Sequence, residues 1–431
     1  MKPLNIIYIH SHDTGRYVQP YGHDIDTPNI QKLAEQGILF RKAFCSGPTC
    51  SPSRAGLLTG QSPHCAGMLG LAHRGFALND YKQHVGHLLR KNGYTTALAG
   101  VQHIAVKPFA DPQQVLPYDN LAPENTEREQ WAAQFIKQKH DKPFFLSVGF
   151  FETHREFPNE PDAQDDPRYC MPPVPLPDNE QTRYDMACYK SMARTLDRKM
   201  GVVFDAVKQA GLQDNTLIIC TTDHGIAFPA MKCSLTDFGI GVMLIIKGPQ
   251  GFTGGKVVES MVSHIDIFPT ICQLTGIDEP EHLQGKSVLP LVREEVAQIN
   301  EEIFSEVTHH AAYEPKRCVR TQRYKYIRRF DDFSTPIMPN CDNSISKTHW
   351  ANLQWAHRNV PQEQLYDLEF DPNEMANLVE RNEMQDVLTE MRSRLDGWMQ
   401  RTCDPLLQGP VKIPAGGVET SQHTYSPDGQ S

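Results

Sequence analysis

No stretch of this 431-residue sequence is both long and apolar enough to cross a bilayer as a helix. Basic residues are in short supply as well: 42 Lys and Arg stand against 52 Asp and Glu, for a formal net charge of −10. A broad nucleic-acid surface needs a basic face, so nucleic acid is set aside as a partner. An anionic small molecule is not, because a few cations in one cleft dominate the local field. Internal repeats are missing. The 11 cysteines are odd in number and follow neither a disulfide nor a metal spacing, as expected of buried thiols in a reducing compartment. Met1-Lys2-Pro3 runs straight into the strand-like Leu4–Ile9, without an apolar signal region or small-residue cleavage site. The expectation is a cytoplasmic protein, or a periplasmic or secreted one whose leader was removed.

The length calls for two or three domains. Apolar, β-branched runs at Asn5–Ile9, Thr95–Ala99, Phe144–Phe150, Thr216–Thr221 and Val242–Lys247 read as strands, several of them covered on both faces. Helical patterns lie between them, at Thr27–Gln36, Pro52–Thr59, Tyr81–Asn92, Thr126–Lys139, Gln181–Ala210 and Ile265–Thr275. This alternation predicts an α/β fold, a mostly parallel sheet with helices on both faces, over residues 1–295. The Pro- and Asp-rich Asn159–Asn179 reads as a long surface loop near the site. Residues 296–409 change character. Ile303–Val307, Cys318–Arg329 and Leu365–Leu368 read as strands and Met384–Gln400 as an amphipathic helix, predicting a smaller α+β subdomain with an antiparallel sheet. Residues 410–431, rich in Gly, Ser, Pro and Gln, read as an extended tail.

Ligands of such sheets bind at the carboxyl ends of the strands. Polar residues follow four predicted strands: His12-Asp13, His103, His154 and Asp223-His224. Between them falls Cys50-Ser51-Pro52-Ser53-Arg54, followed by Leu57-Leu58-Thr59-Gly60. Taken alone, Cys50 would be a buried structural thiol at the head of a helix.

The run Cys50–Gly60 resembles the maturation signature of the type I sulfatases, in the alkaline phosphatase superfamily. The similarity extends to about residue 408. Within that family it is greatest to the heparan N-sulfatase (sulfamidase) subgroup, through Cys50–Gly60, Pro143–Arg155, Asp223–Pro229, Gln364–Leu378 and Trp398 with Asp404-Pro405. The resemblance implies that Cys50 is oxidised to formylglycine by a dedicated maturation enzyme. One hydroxyl of the hydrated aldehyde then attacks sulfur, and the second resets the aldehyde and expels sulfate. It further implies that Arg54 holds the diol, that His103 is the resetting base, and that His154 and Lys232 contact the sulfate or leaving group. A divalent metal, calcium first and magnesium next, is implied at Asp13, Asp223, His224 and the Cys50-derived side chain. Arg155 is a candidate contact for a substrate carboxylate.

Four positions depart from the subgroup. His12-Asp13 stands for Asp-Asp, Val101 for Lys, His224 for Asn, and Lys232 for Arg. If His12 is a ligand, a softer metal than calcium becomes competitive; the alternative places it behind the ligands. The expected substrate is a sulfated small molecule or glycan, bearing an N- or O-sulfate, in glycosaminoglycan degradation. Two other readings stay open. One is a formylglycine-dependent phosphodiesterase or phosphonate monoester hydrolase. The other is a degenerate sulfatase that only binds sulfated glycans, against which the intact maturation run argues.

Overall fold

The computed structural model describes residues 3–106 and 115–429. Eight strands form the larger sheet: β1 (Asn5–Ser11), β2 (Ile38–Phe44), β3 (Thr95–Gly100), β4 (Asn120–Leu121), β5 (Phe144–Gly149), β6 (Thr216–Thr222), β7 (Leu244–Lys247) and β8 (Lys256–Ser263). Their order is β4-β3-β5-β1-β6-β7-β2-β8. Every pairing is parallel except those of β7, which runs against both β6 and β2. The predicted mostly parallel sheet is therefore present, with one reversed strand inside it.

Alternate residues of a strand point to opposite faces. Ile6 and Tyr8 of β1 join one core, and Ile7 and Ile9 the other. Helices α1 (Pro28–Gln36), α4 (Arg128–Lys137) and α5 (Glu180–Gln209) cover the second face with Ile30, Leu33, Ile136, Leu196 and Met200. Helices α2 (Cys50–Thr59), α3 (Val85–Lys91) and α6 (Ile267–Thr275) cover the first with Leu57, Leu58, Leu89, Phe268 and Ile271. Each such side chain, fully buried, contributes roughly 1.5–3 kcal/mol. The helix expected over Tyr81–Asn92 breaks into a single turn, Tyr81–Gln83, and then α3. The break is a cap: His84 Nδ1 accepts from Gly86 N at 2.9 Å and starts the helix afresh. β2 and β8 show no strand signal in the sequence, because Arg41-Lys42 interrupts the first and the outer half of the second is largely exposed.

Strands β9 (Glu302–His309), β10 (Tyr313–Thr321), β11 (Tyr324–Arg329) and β12 (Glu363–Asp367) form a second, antiparallel sheet in the order β12-β11-β10-β9. The run Cys318–Arg329, read as one strand, turns back at Gln322-Arg323 to become a hairpin. One face of this sheet, with Ile303, Val307, Cys318 and Ile327, packs into the core of the larger sheet. The other, with Val319, Tyr326 and Leu365, packs on Leu388, Leu395 and Trp398 of α8 (Gln385–Arg401). A shorter helix, α7 (Ile345–Asn352), precedes β12. Residues 410–429 hold neither helix nor strand but are tied down. Thr420 N donates to Ala311 O (2.8 Å), Arg74 Nη2 to Pro427 O (2.9 Å) and Lys347 Nζ to Tyr425 O (2.7 Å).

Where the two sheets meet, His64 donates its backbone N–H to Glu306 Oε1 (2.8 Å) and sets its ring Nδ1 at 2.9 Å from the same oxygen. Arg317 binds Glu306 Oε2 at 3.1 Å and grips Asp404 through Nε and Nη2 at 2.6 and 3.0 Å. Burial alone would discharge His64, but Glu306 more than offsets it and pushes the His64 pKa up to about 10. The histidine is charged in the folded state above its ordinary value of 6.5. Its stabilisation is therefore complete below pH 6.5 and lost as pH rises through about 10. His64→Gln should unfold at lower urea than the parent at pH 6, with the gap closing towards pH 10. An equal gap at both pH values would sink this account.

Candidate active site

The site forms where β1, β5 and β6 end and α2 begins. Beyond β1 the chain is stitched to the end of β6. Asp13 N donates to Asp223 Oδ1 (2.8 Å), Thr14 N to Thr222 Oγ1 (3.1 Å) and Gly15 N to His224 O (2.8 Å). It is also stitched to the end of β5: Thr153 Oγ1 lies 3.1 Å from the carbonyls of both His12 and Asp13. Asp13 adopts left-handed backbone (φ 53°), as does His103 (φ 58°). Such conformations cost a non-glycine residue about 1–3 kcal/mol and persist only where surrounding bonds over-determine them. Gly225 must be glycine, since a Cβ there would meet Phe238 O at 1.9 Å.

Helix α2 is buried along its whole length and starts at Cys50, so its positive N-terminal end faces the site. Ser53 Oγ donates to Asp223 O and Ser51 Oγ to His103 O, both at 2.5 Å. Arg54 is fully buried. Its guanidinium contacts His10 Nδ1 and donates through Nη2 to Ser11 O (3.1 Å) and Asp223 Oδ2 (2.9 Å).

His12, Asp13, Cys50, Asp223 and His224 converge, one ligand-type atom from each lying within 4.8 Å of all the others. His12 Nδ1 stands 2.8 Å from Asp13 Oδ1, 3.3 Å from Asp223 Oδ2 and 4.0 Å from Cys50 Sγ. His12 is thus inside the donor cluster rather than behind it. Burial lowers its pKa to about 4, leaving a neutral imidazole. His224 Nδ1 faces Gly225 O at 3.0 Å, which places the ring proton there and leaves a lone pair on Nε2. That Nε2 is buried without a hydrogen-bond partner, 3.3 Å from Asp13 Oδ1 and 3.7 Å from Asp223 Oδ2. An orphaned buried polar atom costs about 1–3 kcal/mol, and a cation among these donors removes the penalty. The residues therefore fit a divalent metal.

Lys232 Nζ sits 2.9 Å from Asp13 Oδ2, 2.9 Å from Asp342 Oδ2 and 3.5 Å from His154 Nε2. Burial opposes its charge, but Asp13 and Asp342 more than offset this and keep the ammonium protonated. His103 is driven the other way: burial first, then the Arg54 charge, hold it neutral. Its Nδ1 is buried without a partner, and its ring stacks on His73 at 5.4 Å. The Cys50 thiol is raised well above its ordinary pKa, chiefly by burial, so as a plain cysteine it is not a thiolate nucleophile. Val101, where the sulfatase resemblance leads one to expect Lys, continues β3 by donating its N–H to Gly149 O (3.0 Å). Among the described residues the cations gathered at the centre are Arg54 and Lys232.

One expected site residue is elsewhere. Arg155 forms a bidentate pair with Asp185 of α5, both bonds 2.7 Å, gives Nε to Ala227 O (2.7 Å), and lies over the rings of Phe157 and Phe228. Its donors are used inside the protein, which corrects its assignment as a substrate contact. The residues not expected from sequence are His10, His73 and Asp342. His10 carried a weak signal, since it stands two residues before His12 at the end of a predicted strand; His73 and Asp342 carried none, because only the tertiary fold brings them to His103 and Lys232. Arg155→Gln strands the buried Asp185 charge, and a loss of about 3–5 kcal/mol in urea unfolding is expected. A raised KM with unchanged stability would reinstate the substrate role.

A family model described as Sulfatase matches residues 4–277, and one described as N-sulphoglucosamine sulphohydrolase, C-terminal, matches residues 232–342. The chain is 27% identical to N-sulphoglucosamine sulphohydrolase of Homo sapiens, across 95% of this chain and 92% of that one. It is also 27% identical to an ulvan-active sulfatase of Formosa agariphila, across 95% and 82%. A putative sulfatase from Bacteroides fragilis, 20% identical, shares the fold with a TM-score of 0.76 over 96% of this chain and 98% of its own. The chain belongs to the sulfatase family and is a sulfuric ester hydrolase built, as that family is, for a divalent metal.

Proposed function

We propose that this enzyme removes a sulfate ester or sulfamate from a saccharide, with Cys50 matured to formylglycine and a divalent cation held by His12, Asp13, Asp223 and His224. The observation that carries the reading is the convergence of Cys50 with those four donors, all within 4.8 Å, above a buried Arg54. The names of the human and Formosa relatives, one an N-sulphoglucosamine sulphohydrolase and the other an ulvan-active sulfatase, support a saccharide substrate. The bound cation supplies a Lewis acid for the sulfuryl oxygens, and the hydrated aldehyde at position 50 supplies an oxygen nucleophile that a neutral thiol cannot.

The chain's own residues do the rest. Arg54, fixed between His10, Ser11 and Asp223, holds positive charge beside position 50 at no cost of reorganisation. Lys232, kept charged by its two carboxylates, faces the oxyanion. His154 fixes its Nδ1 on Arg155 O and turns Nε2 to Lys232, so the pair shares a proton and delivers it to the leaving oxygen or nitrogen. His103, neutral and with an open Nδ1, is the base that receives a proton when the nucleophile is regenerated. Overall, water is consumed and the S–O or S–N bond to the sugar is replaced by a bond from sulfur to a water-derived oxygen.

Two carboxylates make calcium the first candidate. Two imidazoles widen the choice towards softer ions. Exhaustive chelation should abolish turnover, and calcium should restore it. Recovery with manganese or zinc but not calcium would reassign the metal.

The tryptic peptide Ala43–Arg54 from protein made in its native host should show the mass of an aldehyde in place of the Cys50 thiol. Cys50→Ala should abolish sulfate release from N-sulfoglucosamine and from O-sulfated sugars. An intact thiol in active protein, or unchanged turnover in the variant, would overturn the proposal. Faster release of phosphate than of sulfate from paired aryl esters would favour a phosphodiesterase instead.

A further inference from the structure

A second concentration of positive charge lies away from the catalytic constellation. A cavity of about 340 Å³ is lined by Arg16, Arg41, Lys42 and Arg320, with Asp237 and Glu369 as the acidic side chains on its wall. Asp237 is already committed: it binds Arg320 at 3.0 Å and Lys325 at 2.5 Å. Among the described residues Arg16, Arg41 and Lys42 form no ion pair. Arg41 and Lys42 are unpaired and Arg16 feels the Asp237 charge only from beyond ion-pair distance, so these three cations outweigh the one uncommitted carboxylate.

Arg16 is the most telling of them. Its guanidinium lies over Phe44 at 4.7 Å, with Arg320 over the same ring at 4.6 Å. One of its five donors reaches a protein acceptor, Nη2 to Ala43 O at 2.9 Å, while Nε is buried with no partner at all. A buried cation is costly unless it is paired and hydrogen-bonded. Arg41 and Lys42 are consecutive on β2, where the pairing with β8 shifts register between Phe40 and Lys42. Irregularities of this kind re-aim side chains, and here both reach one cavity. Arginine's planar fork is suited to a tetrahedral oxyanion, and lysine adds a point charge.

We propose that this cavity is a second anion site, taking a sulfate or phosphate group, free or carried on a glycan, between Arg16, Arg41 and Lys42. It does not depend on the catalytic assignment, since no residue of the catalytic centre lines the cavity.

The test is calorimetric titration with three probes. Inorganic phosphate and inorganic sulfate are titrated into the wild-type enzyme, and a heparin-derived sulfated disaccharide into Cys50→Ala. Two classes of site are expected. The double variant Arg41→Gln/Lys42→Gln should weaken one class about tenfold or more, as two charge-assisted contacts are lost, and leave aryl sulfate hydrolysis unchanged. These two side chains lack ion-pair partners, so their replacement spares the fold; Arg16→Gln is the confirming variant. A second class seen with inorganic anions identifies a free anion as sufficient. A second class seen with the disaccharide alone, and lost in the double variant, identifies a glycan-borne group. A single class with all three probes, or two classes that survive the double variant, would overturn the proposal.

Discussion

Asp223 is the carboxylate on which the rest of the centre depends. Oδ1 accepts the backbone N–H groups of Asp13 (2.8 Å) and His224 (2.9 Å), Oδ2 accepts Arg54 Nη2 (2.9 Å), and the carbonyl accepts Ser53 Oγ. One residue thereby fixes the turn after β1, the turn after β6 and the first turns of α2. Its burial would normally favour the protonated form, yet the Arg54 guanidinium on Oδ2 and the two backbone N–H groups on Oδ1 hold it ionised. Losing the charge would leave Arg54 buried without its anionic partner, which is far more damaging than never having had the pair. The sheet supplies the platform; this carboxylate supplies the alignment of three separate chain segments on it.

The C-terminal part of the chain reaches the centre as well as packing on the larger sheet. Asp342, in the segment between β11 and α7, reaches back to Lys232 at 2.9 Å. Lys232 is thus gripped from both parts of the molecule, by Asp13 and by Asp342. With Val101 at the position where the resemblance led one to expect lysine, this buried ammonium and Arg54 are the cations held at the centre among the described residues. Two counter-charges keep Lys232 ionised and fixed, where a freer side chain would spend conformational entropy on binding.

Much of this was legible in the sequence. β1, β5 and β6 are unbroken buried runs, and the residues just past their ends, Asp13, His154 and Asp223-His224, lie together as the sheet topology requires. Cys50 and Arg54 are one helical turn apart, so a single helix start places both. What escaped was decided by tertiary contact. β2 and β8 hide behind a pair of basic residues and an exposed edge. Arg155 adjoins His154, but neighbouring side chains leave the backbone in different directions; one meets Lys232, the other Asp185 on α5. Asp342 and the stacking of His73 on His103 join segments whose spacing carries no pattern.

Cys50 is 2% exposed, enclosed by an entirely buried helix whose first residue it is. No second protein can present a catalytic surface to a side chain in that position while the surrounding sheet and loops are assembled. An enzyme that rewrote this side chain would have to work on a chain still in extended form, so the sequence around Cys50 would be read as a linear peptide before it became the buried head of a helix. Under the proposed maturation, the same few residues would answer to two readers at two moments in the life of the molecule, and folding would close access for the first.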